Sequence, residues 1–400
     1  MTATPHCRHF GTCGGCTRLD VAIAAQLTGK HAAASAVLAP VLDGVPLAQP
    51  PTPAATPCHD RTKLLYPIQP GPGGELRAGL YARGTHELVD IEECMLQVPA
   101  LTELAHRWLG VLRARGVAPY DERRHRGWLR ALFARIAAGT GEMVAALVTT
   151  DDTLPLHTTL VPQLVDAAAG LPALPDGPPV RLVGLVQNVN PAPGNALLGT
   201  REFTRHGRGH VFDRQDGLTF RISAGSFYQV HRDASALLYR PAMAMLGDVR
   251  GQRVVDAYGG VGTFALRLAA AGAAAVHLVE TSPSACADAR AAATSNRLAD
   301  RVVVTCAPFG AAQHGLGPPL ADPDLLVIDP PRAGLDAPGL AEVRRLDARR
   351  ILYVACSLTA LARDLARLSD RYRPQAAHLC DIFPHTDHVE ALVLLHRRVA

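Results

Sequence analysis

The chain is 400 residues long, more than the roughly 100 to 200 of a usual single domain, so two or three compact units are expected. Its composition, 48% hydrophobic and 19% charged, excludes wholesale disorder and is ample for a buried core. Forty basic residues against 36 acidic ones leave a net charge of only +4, and just two of the basic residues, Lys30 and Lys63, are lysines. The positive charge is therefore arginine, whose planar fork suits phosphates, although codon bias explains the same choice without function.

No run of about 18 uncharged apolar residues occurs, because Arg267 and His277 interrupt the most apolar stretch, and no basic segment leads into an apolar one at the N-terminus. A soluble, cytoplasmic monomer without a membrane partner is expected. Nine cysteines in such a chain point to metal ligation or catalysis rather than to a disulfide framework.

The first region, residues 1–95, opens with CRHFGTCGGC, in which Cys7, Cys13 and Cys16 are separated by five and two residues. Two-residue spacing lets neighbouring thiolates share a metal, and the glycines permit the tight turn, so a zinc site is the generic expectation. An alanine-rich helix follows (about Leu19 to Leu38), then a Pro-rich segment from Pro46 to Pro57, then hairpin strands in GELRAGLYARGTHELVDIEEC. The second region, 96–222, reads as a small α+β unit: a helix from Leu101 to Arg115, strands in WLRALFARIA and MVAALVTT, a helix from His157 to Ala169 and a strand from Arg181 to Asn190. Eight arginines crowd this unit (Arg107, Arg113, Arg115, Arg123, Arg124, Arg126, Arg130 and Arg135), and REFTRHGRGHVFDR adds a second basic loop. An RNA-contacting surface is expected there; a solvated face is the plain alternative.

The third region, 223–400, alternates near-continuous apolar strands with amphipathic helices, the pattern of a parallel sheet covered on both faces. The two last strand runs have no helix pattern between them and should form an antiparallel pair at one edge. The first strand runs into Tyr258, Gly259, Gly260, Val261, Gly262 and Thr263, a turn that lets the backbone approach a ligand closely just before a helix. It lacks the third glycine of the dinucleotide fingerprint. Glu280 ends the next strand, placed to accept hydrogen bonds from a ribose. The fourth strand ends in Asp329-Pro330-Pro331-Arg332, where two prolines force the chain out of the sheet at its ligand-binding edge. The fifth delivers Cys356 to that edge next to a helix start, where partial positive charge favours a thiolate. Glu390 opens the last strand, after PHTDHV.

Asp-Pro-Pro after an apolar strand resembles S-adenosylmethionine enzymes. Together, DAYGGVGTF, Glu280, VIDPPRAGLD, YVACSLTALARDL and DIFPHTDHVE resemble, in order and spacing, the RNA uracil-5-methyltransferases that make 5-methyluridine. The resemblance covers the third region and implies a Rossmann-like, S-adenosylmethionine-dependent methyltransferase domain. It implies Cys356 as nucleophile and Glu390 as base, with Gln229 of GSFYQV, Tyr258, Gly260, Gly262, Thr263, Glu280 and Asp329 around the cofactor. Similarity to the family's shorter 23S ribosomal RNA enzymes, which lack an extra N-terminal barrel, implies a four-iron, four-sulfur cluster on Cys7, Cys13, Cys16 and Cys94, with Cys58 as the rival fourth ligand. Two positions depart from the family: Gly259 where Cys is usual, and Ser357-Leu358 where Asn-Pro usually follows the nucleophile. The alternatives are a transfer RNA enzyme of the same kind, an amino-group methyltransferase using Asp-Pro-Pro, and an iron–sulfur RNA-binding protein without catalysis.

Overall fold

The computed structural model describes residues 5–47, 50–154, 157–311 and 322–398. Helix α1 (Ile23–Leu38) precedes three strands, β1 (Lys63–Pro70), β2 (Leu76–Tyr81) and β3 (Leu88–Asp90). Helix α2 (Pro99–Ala114), β4 (Leu129–Ile136), β5 (Glu142–Thr149), α3 (His157–Ala167), β6 (Arg181–Val189) and β7 (Arg201–Gly207) follow. These strands form one seven-stranded sheet in the order β3-β2-β1-β4-β5-β6-β7. The boundary expected at residue 95 therefore cuts through a sheet, because β1 pairs antiparallel with β4, Leu65 opposite Phe133. Apolar runs separated by 40 or more residues carry no local sign that they will pair, so a break in composition was mistaken for a break between units.

Every residue of β4 and β5 is buried. Alternation explains it: Leu132, Ala134, Met143 and Ala145 face the layer of α2 and α3, while Phe133, Val144 and Ala146 face the opposite core. That second core is shared with a two-stranded ribbon, β8 (His210–Gln215) and β9 (Leu218–Ser223), which also packs on the C-terminal unit.

The C-terminal unit begins with a π-helical turn at Ser235–Tyr239 leading into α4 (Arg240–Leu246). It continues through β10 (Arg253–Ala257), α5 (Thr263–Ala270), β11 (Ala275–Glu280), α6 (Pro283–Ser295), β12 (Val302–Cys306) and β13 (Leu325–Ile328). It ends with α7 (Ala337–Leu346), β14 (Arg350–Ala355), α8 (Leu358–Leu368), β15 (Tyr372–Cys380) and β16 (Glu390–Arg397). The sheet order is β12-β11-β10-β13-β14-β16-β15; the first five strands are parallel, and β15 and β16 form the antiparallel edge pair read from the sequence. Side-chain caps start three helices: Ser282 accepts from Ala285, Asp336 from Gly339 and Ser357 from Ala360. The strand order reverses at β10, between β11 and β13, which opens a crevice at the carboxyl ends of those strands. Helix α1 does not stay with the N-terminal strands. Its Ala34 and Leu38 enter the core formed by Leu361, Leu365 and Leu368 of α8. Among the described residues, no helix is long and apolar enough to cross a membrane.

Candidate active site

The glycine turn lies at the switch point. Tyr258, Gly260 and Gly262 all have positive φ (60°, 55° and 87°), and Gly262 is the left-handed cap of α5. A side chain at Gly259 would meet Leu278 at 2.5 Å, so Leu278 fills the space beside this glycine. Glu280 accepts hydrogen bonds from the backbone amides of Gly260 (3.0 Å), Thr281 (2.7 Å) and Ser282 (2.7 Å), which ties the end of β11 to the glycine turn. Thr263 opens α5, and its carbonyl takes a bond from Arg267. The rings of Tyr258 and Phe309 lie 5.5 Å apart.

Asp256, which the sequence reading passed over, is the most enclosed of the carboxyls in this crevice. One oxygen accepts from the Ala265 amide at 2.8 Å; the other has no hydrogen-bond partner among the described residues. Burial, then the charges of Asp329 and Glu280, push its pKa up to about 8. Burial likewise raises Asp329 to about 7. A crevice in which carboxyls crowd one another and one oxygen stays unpartnered is suited to a cation. Gln229 is buried on the segment after β9, and no hydrogen bond of its side chain joins it to these groups among the described residues. That segment is docked on α6 by Ser226, which donates to Asp288 at 2.6 Å. We expect Glu280→Gln to raise the Kd for S-adenosylmethionine roughly 10- to 100-fold, the effect of about 1.5–3 kcal/mol for bonds to a charged group. Isothermal titration calorimetry reads this directly, and an unchanged Kd removes Glu280 from the binding site.

Cys356 and Glu390 meet at the same edge. In the antiparallel register Ala355 faces Ala391, so the residues just beyond that pair, Cys356 and Glu390, continue the facing positions. Glu390 is 3% exposed, one of its oxygens has no hydrogen-bond partner among the described residues, and burial followed by the charge of Asp329 raises it to about 8, against the pull of Arg332. The thiol pKa is raised, first by burial, then by Glu390 and Asp329, and is lowered by Arg332. This corrects the expectation that the helix terminus makes Cys356 acidic: two neighbouring carboxyls and desolvation outweigh a terminus whose amide is already capped by Ser357. The same cap shows what replaces the usual Asn-Pro: Ser357 accepts from Ala360 and starts α8.

The cysteine loop folds back on the DIEEC segment through Arg8, which pairs with Glu92 and Glu93. The thiols of Cys7, Cys13, Cys16 and Cys94 influence one another electrically: burial, then Cys13, Cys7 and Cys94 raise Cys16 to about 12. Cys13 accepts from the Gly15 amide at 3.2 Å, and the amides of Leu96 and Gln97 hold the Cys94 sulfur. Cys58 stands elsewhere, 3.7 Å from Nε2 of His385. Among the described residues no group of three or more His, Cys, Asp or Glu side chains is gathered tightly enough to hold a metal ion. All nine cysteines are free of disulfides.

The loop from Cys16 is also bound to the loop that precedes Glu390. The amides of Thr17 and Arg18 donate to the His385 carbonyl at 2.9 and 3.0 Å, and both side chains bond Asp387. Gln26 of α1 accepts from the His385 amide at 2.9 Å, and Lys30 pairs with Asp381 at 2.6 Å while donating to the Phe383 carbonyl.

The arginine crowding seen in the sequence does not become a surface patch. Arg107 binds Glu103 and the carbonyls of Ala167 and Ala169 at the end of α3, Arg113 binds the Leu76 carbonyl and Arg115 binds Gln163. Arg130 and Arg135 are buried, the first over the Tyr120 ring and the second on the Ser223 carbonyl. Arg201, Arg205 and Arg208 of the second basic loop are held by Asp152, Gln187 and Glu142. The tip with Arg123, Arg124 and Arg126 is exposed, with Arg124 facing Asp121, while the exposed Arg113, Arg115 and Arg201 are tied to the partners just named. Nearness in sequence placed these arginines on a helix, a loop and a strand that point in different directions.

Residues 322–398 match the profile of the tRNA (Uracil-5-)-methyltransferase family. An uncharacterized RNA methyltransferase of Halalkalibacterium halodurans is 33% identical over 97% of this chain and 82% of its own length. One from Listeria monocytogenes serotype 4b is 31% identical over 98% of this chain and 83% of its own. The crystal structure of Pyrococcus abyssi tRNA (uracil-54, C5)-methyltransferase in complex with S-adenosyl-L-homocysteine shares the fold, with a TM-score of 0.72 and 23% identity over 96% of this chain and 84% of that one. With its parallel sheet, glycine turn and paired Cys and Glu at one edge, the chain belongs to the RNA uracil-5-methyltransferase family.

Proposed function

We propose that the protein methylates carbon 5 of a specific uridine in RNA, with 23S ribosomal RNA as substrate. The observation that carries this reading is the meeting of Cys356 and Glu390 at one sheet edge, beside the carboxyl-lined crevice of Asp256, Glu280 and Asp329. S-adenosylmethionine, when bound, supplies an electrophilic methyl group and a positive charge that suits this crevice. Carbon 5 of uracil is a poor nucleophile until Cys356, as thiolate, adds to carbon 6. Carbon 5 then takes the methyl group, leaving S-adenosylhomocysteine, after which Glu390 removes the proton from carbon 5 and Cys356 leaves as the ring double bond is restored. A stacked base cannot reach so enclosed an edge, so the uridine is unpaired or flipped out.

The test uses RNA carrying 5-fluorouridine with S-adenosylmethionine. Fluorine has no proton for Glu390 to remove, so a stable protein–RNA adduct accumulates; its absence on all cellular RNA tested overturns the mechanism. Mapping 5-methyluridine with and without the gene separates the ribosomal from the transfer RNA substrate.

The four-iron, four-sulfur cluster that the resemblance implies would be held by Cys7, Cys13, Cys16 and Cys94. Amide donors to Cys13 and Cys94 suit cluster thiolates. Its role would be structural, fixing the loop between Cys16 and the Glu390 segment. Anaerobically purified protein is expected to hold about four irons per chain with visible absorbance lost in Cys94→Ser but kept in Cys58→Ser. Stoichiometric zinc without iron refutes the cluster.

A further inference from the structure

A cavity of about 650 Å³ lies between the cysteine loop, strands β1 and β2, and the loop before Glu390, and no step of the proposed reaction uses it. This is within the size range of pockets that hold small ligands, about 300–1,000 Å³. Four cations line it: Arg61, Lys63, Arg83 and Arg332. Among the described residues these four make no ion pair. Among the described residues the Nε of Arg61 is buried without a hydrogen-bond partner, and Lys63 lies over the Phe133 ring at 5.8 Å. Burial and the nearby Arg135 push Lys63 down to about 8, a strain that an anion relieves. The acid on the wall, Asp387, is already held by Arg18 and Thr17. Two rings, Tyr81 and Phe383, line it, the first already stacked on one side by His86 at 5.1 Å. Arg332 joins the cavity to the reacting groups, since its charge acts on both Cys356 and Glu390.

We propose that this cavity binds the nucleotide next to the target uridine, with its phosphates on Arg61, Lys63 and Arg83 and its base against Tyr81 or Phe383. Unpaired cations combined with aromatic faces are the recognition chemistry of single-stranded nucleic acid. The inference rests on the reading of the chain as an RNA-modifying enzyme and moves the main phosphate contacts from the Arg107 to Arg135 stretch to this cavity.

The experiment measures the affinity of the full-length protein for a short fluorescein-labelled oligouridylate over a salt series. Lys63→Gln and Arg83→Gln should each weaken binding several-fold and flatten the log K against log salt line by about 0.7 to 1. Arg83 is exposed, so its variant stays folded even if Lys63→Gln does not. Arg123→Ala with Arg124→Ala should leave affinity and slope unchanged. The inference fails if Arg83→Gln keeps the wild-type slope, if the Arg123 and Arg124 variant loses it, or if inorganic phosphate competes as well as the oligonucleotide does. Should the slope fall as expected while 5-fluorouridine RNA gives no adduct, the cavity stands and the uracil chemistry falls.

Discussion

Glu390→Gln is expected to trap ordinary uridine RNA as a covalent complex, whereas Cys356→Ala forms none and transfers no methyl group. In the proposed cycle the two residues serve opposite halves. Without the thiol, carbon 5 is never activated, and the loss should exceed about 10⁴-fold, as for other nucleophiles removed from a concerted set. Without the carboxylate, addition and methylation proceed, but the carbon 5 proton stays in place and the thiol cannot leave, so turnover falls by about 10² to 10⁴. Denaturing gels with labelled RNA distinguish the variants, and free product from Glu390→Gln at the wild-type rate removes Glu390 from the base role. The pH dependence follows from the same groups. Both act deprotonated, and Glu390 is raised to about 8 by burial and Asp329, so activity rises with pH and is lost as pH falls below about 8. Glu390 is also one of the charges that raise Cys356. In Glu390→Gln the thiolate therefore forms at lower pH, and the midpoint of adduct formation should shift down; a midpoint that stays in place means the two groups do not face each other.

The C-terminal unit was legible because its signals are local. Each parallel strand is an apolar run closed by a turn or cap, and the residues that end them, Tyr258, Glu280, Asp329 and Cys356, come to one edge by topology alone. The register across β14 and β16, which sets Cys356 against Glu390, was not legible: the missing helix implied that β15 and β16 pair, but not that β16 is the one inserted beside β14. What sequence could not supply were partners far apart in the chain. The pairing of β1 with β4 has no local signature, and neither does the tie of Arg107 or Arg130 to distant carbonyls. Asp256 stood in the quoted DAYGG motif, but only the fold shows it is buried with an unpartnered oxygen. The sign of the shift at Cys356 depends on carboxyls that arrive from two other strands, so the helix start alone misled.

Lys30→Met is expected to destabilise the protein by about 3–5 kcal/mol, the cost of leaving a buried partner charge uncompensated. Lys30 and Asp381 are 1% and 2% exposed at 2.6 Å, and Lys30 also holds the Phe383 carbonyl. Burial lowers the lysine pKa while Asp381 raises it, so the pair exists because each ion is the other's solvent. Arginine's wide fork does not fit a site that needs one compact cation donating to a carboxylate and a carbonyl, which explains one of the two lysines in an arginine-rich chain. The consequence reaches the active edge, because Lys30 and Gln26 of α1 fix the segment from Asp381 to His385, and Glu390 follows five residues later. A weakened clamp should lower kcat more than it raises the KM for S-adenosylmethionine, whose crevice lies on other strands. Lys30→Met combined with Asp381→Leu should recover most of the stability, since a buried ion pair is replaceable by apolar packing, yet leave kcat low because the Phe383 carbonyl has lost its donor. Recovery of kcat together with stability would show that the pair serves folding alone and that the loop before Glu390 is held by Gln26 and Thr17 without it.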